Sequence, residues 1–193
     1  MKATKLFQFT LILKNVDENT KDLEDSLFES GCNDALINFR NGAVYLEFDR
    51  ESSSLEEAII SAIKDVQSAS IIIDVSSVAP ENLVTESEIS KRLNVSRQSV
   101  SLWINKNRRT SFPHPVMRLS EKSPLWKWNE ITEWLYNNKI ITDHEIVENS
   151  LFIANINGAL EECDKNTRDM RHNLLNKIGR NNLHPDNPRF SLI

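Results

Sequence analysis

The chain has 193 residues, a net charge of −5 and 39% apolar residues, which are ordinary values for a soluble globular protein. The negative charge argues against a general nucleic-acid coat protein, and no apolar run approaches the roughly 20 residues that a membrane helix needs. Cys32 and Cys163 match no metal-ligand spacing, so we expect a cytoplasmic protein in a reducing compartment, without a metal or other cofactor. The apolar N-terminus is interrupted by Gln8 and Thr10 and lacks a cleavage site, so we interpret it as a strand rather than a signal peptide.

Residues 1–80 predict strands and helices in the order β-α-β-β-α-β. The predicted strands are Lys5–Leu13, Ala35–Phe39, Ala43–Phe48 and Ser70–Val78, and the predicted helices are Thr20–Ser30 and Leu55–Val66. Asn41-Gly42, between the second and third strands, is a strong hairpin-turn pair. We expect Asn19 or Thr20 to cap the first helix and Gly31 to end it, and one of the serines at 52–54 to cap the second helix.

This element order is the split arrangement of ferredoxin-like domains, and it resembles the small regulatory domains of that class. The resemblance implies either pairing of two copies or sensing of an effector, although the fold itself hosts many unrelated functions. We favour dimerisation, because no glycine-rich loop or cluster of polar residues marks a pocket in residues 1–80. A small-molecule effector therefore has no support in the sequence.

Pro80 marks the predicted start of a second domain, residues 81–140, whose most informative segment is Thr85–Ile104. This segment predicts two short helices joined by a tight turn, which is the layout of a helix-turn-helix. Asn94 would adopt a left-handed conformation in the turn, and Ser96 would cap the second helix. The side chains that the two crossing helices must bury are Ile89, Leu93, Val95, Val100 and Trp103, with the small Ser90 at their closest approach.

Burial of this apolar set leaves a polar surface on the second helix. The DNA-contacting residues predicted there are Ser96, Arg97, Gln98, Ser101 and Asn105. Arg97 is the strongest candidate for a base contact, because Arg paired with guanine is the commonest specific contact in the major groove, and a phosphate contact is its alternative. Gln98 either pairs with adenine or is solvated. The alternative for the whole segment is a surface helical hairpin without a ligand.

The positive charge of the chain is concentrated in residues 81–140. These residues hold 10 Lys/Arg against 6 Asp/Glu, whereas residues 1–80 hold 7 against 14 and residues 141–193 hold 6 against 8. The excess includes the basic loop Lys106–Ser111, where Lys106, Arg108 and Arg109 are expected to bind phosphates or else to be solvated. Acidic flanks would discourage indiscriminate phosphate binding and present a single surface to DNA.

After the basic loop, a proline-rich stretch leads into two predicted short strands, Val116–Leu119 and Leu125–Trp128. Asn129 is predicted to cap a final helix that contains Ile131, Trp134 and Leu135. The four tryptophans of this domain are interpreted as its core rather than as groups that stack on bases.

A helix-turn-helix followed by a hairpin and a short helix is a winged-helix arrangement. The segments VSRQSVSLWI (Val95–Ile104), FPHPVMRL (Phe112–Leu119) and PLWKWNEITEWL (Pro124–Leu135) resemble the MerR-like group of small winged domains, especially its AlpA and phage-excisionase branch. The resemblance covers about 55 residues, from Leu83 to Asn137.

The resemblance implies that the recognition helix reads the major groove through Ser96, Arg97, Gln98 and Ser101. It also implies a wing that touches the DNA backbone or minor groove through Arg118 and Lys122. The basic loop departs from the family pattern, because it is longer and more basic than the short turn typical of excisionase-like proteins.

Residues 141–178 predict a helical segment, and residues 179–193 predict a poorly ordered tail. Apolar residues follow alternating three- and four-residue steps from Ile146 to Leu174, like a heptad seam with polar interruptions. Two interpretations stay open. One is a long helix that pairs with a second copy, and the other is a helical hairpin that breaks at Asn157-Gly158 and packs on its own chain.

Together these patterns predict an α+β protein with an N-terminal ferredoxin-like domain, a central winged helix-turn-helix and a C-terminal helical segment. We expect a sequence-specific DNA-binding transcriptional regulator, a homodimer that reads an inverted-repeat site. We expect no catalysis, because no paired acid and base, phosphate loop or nucleophile set is recognisable. The alternatives are an architectural DNA-bending factor in site-specific recombination, as the excisionase resemblance implies, and a protein-interaction adaptor.

Overall fold

The computed structural model describes residues 4–105, 111–163 and 165–178, the side chains of 165–167 excepted. It combines antiparallel sheet with helices, which confirms the α+β class. The chain divides into two compact units, Met1–Asn157 and Gly158–Ile193. Within the described part of the chain, no helix is both long enough and apolar enough to cross a membrane.

The first part of the chain forms a four-stranded sheet with two helices. Its elements are β1 (Lys5–Lys14), α1 (Leu23–Glu29), β2 (Ala35–Arg40), β3 (Ala43–Ser52), α2 (Leu55–Gln67) and β4 (Asp74–Ala79). The order along the chain is the predicted one, and the strands lie in the sheet as β2-β3-β1-β4 with every neighbouring pair antiparallel. Asn41 and Gly42 both have positive φ, at 52° and 79°, as a type I′ hairpin turn requires.

Two local predictions in this part are wrong. Helix α1 begins only at Leu23, and its N-cap is Asp22 in a left-handed conformation, because Thr20 is held in a turn where its Oγ1 accepts the amide of Asp17 at 2.9 Å. The last strand begins at Asp74 rather than Ser70, and Ile72 is 85% exposed. The cap of α2 is Ser54, whose side chain accepts the amide of Glu57, as the sequence predicted.

One face of the sheet carries the core. Alternating residues of β1 and β3 are buried there, namely Phe9, Leu11, Leu13, Val44, Leu46 and Phe48, as the two-residue period of a half-buried strand requires. Arg50 continues this buried row on β3, and its guanidinium joins three segments. It donates to Asp34 Oδ1 and Oδ2 at 2.8 and 2.7 Å, to Asp65 Oδ2 at 2.7 Å and to the carbonyl of Gly31 at 3.2 Å.

The second part of the chain builds a small sheet and three helices. Its elements are β5 (Leu83–Val84), α3 (Glu86–Arg92), α4 (Arg97–Ile104), β6 (Trp126–Lys127) and α5 (Trp128–Asn137). Strand β5 pairs antiparallel with β6, and a single bridge joins Met117 to Leu125. The predicted hairpin is thus reduced to one bridge next to β6.

The start of α5 also differs from the prediction. The helix begins at Trp128 and its N-cap is Lys127, so Asn129 is not the cap. Asn129 instead pairs with Asn82: its amide donates to Asn82 Oδ1 at 2.9 Å, and its Oδ1 accepts from Asn82 Nδ2 at 2.8 Å. This side-chain pair holds β5 against the first turn of α5.

A single apolar cluster supports these elements. Its buried members are Val84, Ile89, Val100, Trp103, Phe112, Trp126, Ile131, Trp134 and Leu135. Three of the four tryptophans are therefore core residues, and the fourth, Trp128, packs against the cluster half-buried. The interpretation of the tryptophans as core is confirmed.

The C-terminal segment contains α6 (Glu145–Cys163) and α7 (Lys165–Lys177). Asn157 and Gly158 lie within α6, so the interpretation of a helical hairpin that breaks at these residues is wrong. Arg171 of α7 pairs with Glu161 of α6, ten positions earlier. The tail, residues 179–193, lies outside the described residues.

Helix α6 makes hydrogen bonds to the four-stranded sheet and to helix α5. Asn157 accepts the amide of Val78 at 2.7 Å and donates to its carbonyl at 2.8 Å, which satisfies a free edge position of β4. Ser150 shares a 2.7 Å hydrogen bond with Thr132 of α5 inside the protein. The sheet and the helices of residues 81–140 are thereby connected through one helix.

Candidate nucleic-acid interface

The turn between α3 and α4 has the geometry that the sequence predicted. Asn94 has φ of +52°, and the amide of Val95 returns to the carbonyl of Ser90 at 3.0 Å. Ser96 caps α4 by accepting the amide of Ser99 at 3.1 Å. Ser90, at the crossing of the two helices, is 6% exposed. The two helices therefore cross at a tight, internally bonded turn, as in a helix-turn-helix.

The start of α3 is fixed by a reciprocal cap that the sequence analysis did not use. Thr85 accepts the amide of Glu88, and the carboxylate of Glu88 accepts the amide and hydroxyl of Thr85 at 2.7 and 2.8 Å. The hydrogen bond from the backbone amide of Thr85 is the main cause of a lowered pKa of Glu88, and the hydrogen bond from the Thr85 hydroxyl adds to it. The spacing Thr85-x-x-Glu88 is the recognisable signal for such a capping box.

The outer surface of α4 carries the predicted reading residues. Ser96, Arg97, Gln98 and Asn105 are exposed and Ser101 is half-buried, whereas Val100 and Trp103 face the core. Asn105 Nδ2 donates to Ser101 Oγ at 3.2 Å, so these two side chains form one polar pair at the end of the helix. Apart from Arg97, these side chains are neutral amides and hydroxyls, groups that can both donate hydrogen bonds to base edges and accept them.

Arg97 lies differently from its neighbours on α4. Its Nη2 donates to Ser87 Oγ of α3 at 2.5 Å, so the guanidinium is directed back across the first turn of α3. Ser87 was not among the predicted contact residues. Its signal in the sequence is its place two residues after the cap Thr85, in the first turn of α3.

A groove brings Arg97 together with a predicted wing residue. It has a volume of about 330 Å³, and Arg97 lines it beside Ser87, Glu86, Trp126 and Lys122. The structure thus places one cation from α4 and one from the loop after Leu119 in a single concave surface. Two cations with a hydroxyl in one groove form a site suited to a phosphate, with Glu86 as the one opposing charge in the lining.

Arg118, the other residue predicted to lie on a wing, is separate from this groove. Arg118 is exposed, has φ of +54° and accepts the amide of Glu121 through its carbonyl at 3.1 Å. Its Nε lies 4.0 Å from the carboxylate of Glu121. Arg118 does not line the groove that holds Lys122. Lys106, Arg108 and Arg109 lie outside the described residues.

Arg92, the last residue of α3, is a cation that faces inward. Its guanidinium lies 5.1 Å from the centroid of the Trp128 ring, and its Nη2 donates to the carbonyl of Glu81 at 2.9 Å. Nη1 is buried without a hydrogen-bond partner among the described residues. Burial lowers the pKa of Arg92 from its ordinary value. This side chain is part of the structure beneath the candidate surface.

The His, Cys, Asp and Glu residues of the described ranges were compared with the arrangements that hold metal ions. No group of three or more His, Cys, Asp or Glu residues there has the arrangement of a metal site. Cys32 is buried, and desolvation raises the pKa of its thiol to about 11, which keeps it protonated at neutral pH. His144, directly before α6, bonds to Glu148 of that helix at 3.1 Å.

Comparison with known proteins gives no relative for this chain: no family model, no curated protein and no solved structure matches it.

Proposed function

We propose that this protein is a sequence-specific DNA-binding transcriptional regulator, without catalytic activity, that acts as a homodimer. In this proposal residues 1–80 are a ferredoxin-like domain, and residues 81–140 are a winged helix-turn-helix of the MerR-like, AlpA–excisionase-like group. The sheet order β2-β3-β1-β4 supports the first assignment. The left-handed turn at Asn94 and the pairing of β5 with β6 support the second.

The observation that carries the proposal is the position of the groove beside α4. A phosphate in the groove of Arg97 and Lys122 would hold the DNA backbone next to the N-terminus of α4. The exposed amides of Gln98 and Asn105 would then face the adjacent base edges. Backbone contacts set the register of a reading helix, and base contacts set its sequence preference, so both parts are needed on one surface.

The geometry changes the role that we assign to Arg97. The sequence favoured a guanine contact, with phosphate as the alternative. Because its guanidinium is bonded to Ser87 and shares a groove with Lys122, we assign Arg97 to phosphate and assign base reading to Gln98, Ser101 and Asn105. The dimer is supported by Met170 and Leu174 of α7 and by Ile178 directly after it, which recur every four residues and are 65%, 52% and 63% exposed.

Selection of bound duplexes from a random DNA pool tests this assignment. We expect an inverted repeat with half-sites about one helical turn apart. Gln98→Ala should lose preference at one base position of each half-site, at a cost of about 1–3 kcal/mol for the preferred base. Arg97→Ala should weaken binding to all sequences and reduce the salt dependence, with the preferred motif unchanged.

Lys64→Ala, an exposed lysine of α2, serves as the matched control and should bind like the unmodified protein. Loss of preference at one base in Arg97→Ala would return Arg97 to base reading. Enrichment of no motif by the unmodified protein at moderate salt contradicts the proposed function itself.

A further inference from the structure

We infer that a cavity between the sheet, α5 and α6 is a binding site for a small, uncharged aromatic molecule. The cavity has a volume of about 230 Å³ and lies within the first unit. Its walls come from β1, the start of α2, the segment after β4, the first residue of α5 and one side of α6. No local sequence pattern indicates this cavity, because the residues of its five walls are far apart along the chain.

The size of the cavity selects a ligand of one or two rings. An apolar protein cavity of about 150 Å³ holds a benzene molecule. The volume here, about 230 Å³, is half as large again, which matches a bicyclic compound such as indole. A nucleotide or a peptide is too large for it.

The lining selects against charge. Phe9, Leu55, Trp128 and Ile153 provide apolar surface, and among the described residues no Asp, Glu, Lys, Arg or His lines the cavity. An ion placed here would lose its hydration without a compensating partner, which is costly. The rings of Phe9 and Trp128 suit an aromatic ligand, because aromatic pairs gain contact energy beyond the area that they bury.

Four polar side chains among the described residues line the cavity, and three of them are bonded to residues outside it. Gln8 donates to Asp49 at 2.8 Å, Ser150 is bonded to Thr132, and both side-chain atoms of Asn82 are bonded to Asn129. Asn149 also lines the cavity, and its side chain makes no hydrogen bond to any described residue. Its amide offers one acceptor and two donors on an otherwise apolar wall, which is how small-molecule sites orient a ligand.

The cavity is also connected to the proposed DNA-binding part. Trp128 lies in its wall, begins α5, and donates its backbone amide to the carbonyl of Asn82 at 2.6 Å. The same indole ring contacts the guanidinium of Arg92 at the end of α3. A ligand against Trp128 would therefore act on the helix that precedes the recognition helix. This regulatory consequence rests on the proposed function, whereas the binding site does not.

Binding is tested by NMR on the isotope-labelled full-length chain, titrated with indole, quinoline and benzamide. We expect saturable shifts of the Trp128 side-chain NH, with contacts from bound indole to the methyl groups of Ile153. Indole-3-carboxylate and benzoate, the charged analogues, should bind at least about tenfold more weakly. Asn149→Ala should weaken indole binding several-fold, as loss of one hydrogen bond does, whereas Asn155→Ala on the exposed side of α6 should not.

The inference is overturned if no neutral probe produces saturable shifts at Trp128, or if neutral and charged probes bind equally well. It is also overturned if bound indole contacts residues elsewhere and not Ile153. Measuring duplex affinity with and without indole separates the two proposals. Indole binding without any duplex binding would refute the regulator and leave the site, and duplex binding without any neutral probe bound would do the reverse.

Discussion

At the scale of single residues, charged side chains of the same type differ in role because of their surroundings. Arg50 is buried between two carboxylates, Arg92 is covered and contacts an aromatic ring, and Arg97 is exposed beside a hydroxyl. Arg50 and Arg92 are engaged by groups inside the protein, whereas Arg97 is the exposed one of these three and is accessible to a phosphate. The predicted burial of Val100 and Trp103 implied that Arg97 is exposed, but it did not indicate the direction of the Arg97 side chain.

Arg50→Met should destabilise the protein by about 3 kcal/mol, because it leaves the carboxylates of Asp34 and Asp65 without their shared cation. The free energy of unfolding, measured in denaturant, checks this. Arg40→Met, at an exposed position of β2, is the control and should change stability by less than about 0.5 kcal/mol. Equal small effects of both substitutions would show that the Arg50 network contributes no net stability.

At the scale of secondary-structure elements, a capping box determines where α3 begins, and a single asparagine determines what α6 contacts. The capping box of Thr85 and Glu88 fixes the first turn of α3, and Asn157 attaches α6 to the outer edge of β4. Each motif satisfies backbone groups that a helix end or a sheet edge leaves open. Such motifs can be removed by one substitution, without creating a cavity in the core.

The capping box predicts a stability contribution that depends on pH. Glu88 has a lowered pKa in the folded protein, so its stabilisation is present above the ordinary value of 4.5 and is lost as the pH falls through the folded value. Glu88→Ala should cost about 1 kcal/mol at pH 7 and progressively less below pH 4.5. Denaturant unfolding of both proteins across this range measures the difference, and a cost that stays constant down to pH 2 would contradict a role for the ionised carboxylate.

Asn157→Ala should lower the free energy of unfolding by about 1–3 kcal/mol, because the amide and carbonyl of Val78 both lose their partner. Asn155→Ala, an exposed asparagine two residues earlier in α6, is the matched control and should be close to neutral. Hydrogen exchange at the Val78 amide gives a local measurement. Unchanged protection of that amide in Asn157→Ala would show that the edge contact is not made in solution.

At the scale of the whole molecule, charge and exposed apolar surface point to different partners. The positive excess of residues 81–140 is compatible with DNA, and the acidic remainder disfavours other DNA contacts. The exposed apolar residues of α7 favour a protein partner, and a second copy would give the two-fold symmetry that an inverted repeat requires.

Leu174→Glu should convert the proposed dimer largely to monomer at micromolar concentration, because a carboxylate in an apolar interface is costly to desolvate. Sedimentation equilibrium measures the oligomeric state. Asn176→Glu adds the same charge two residues away, on another side of α7, and should leave the dimer intact. An unmodified protein that sediments as a monomer at all concentrations would contradict the homodimer.

The sequence by itself determined the features that depend on neighbouring residues. The order of the first six elements, the hairpin turn at Asn41-Gly42, the left-handed Asn94 and the cap Ser96 were all predicted, because each follows from a local conformational preference. The burial of the tryptophans followed from their number in a small domain.

Only the tertiary structure decided the features that depend on distant segments. The pairing of β5 with β6 and the pairing of Asn157 with Val78 join residues that are far apart along the chain. The direction of Arg97 toward Ser87 and the uncharged cavity at Trp128 have the same origin. Each needs side chains from elements that the chain brings together only after folding, so no local pattern could contain it.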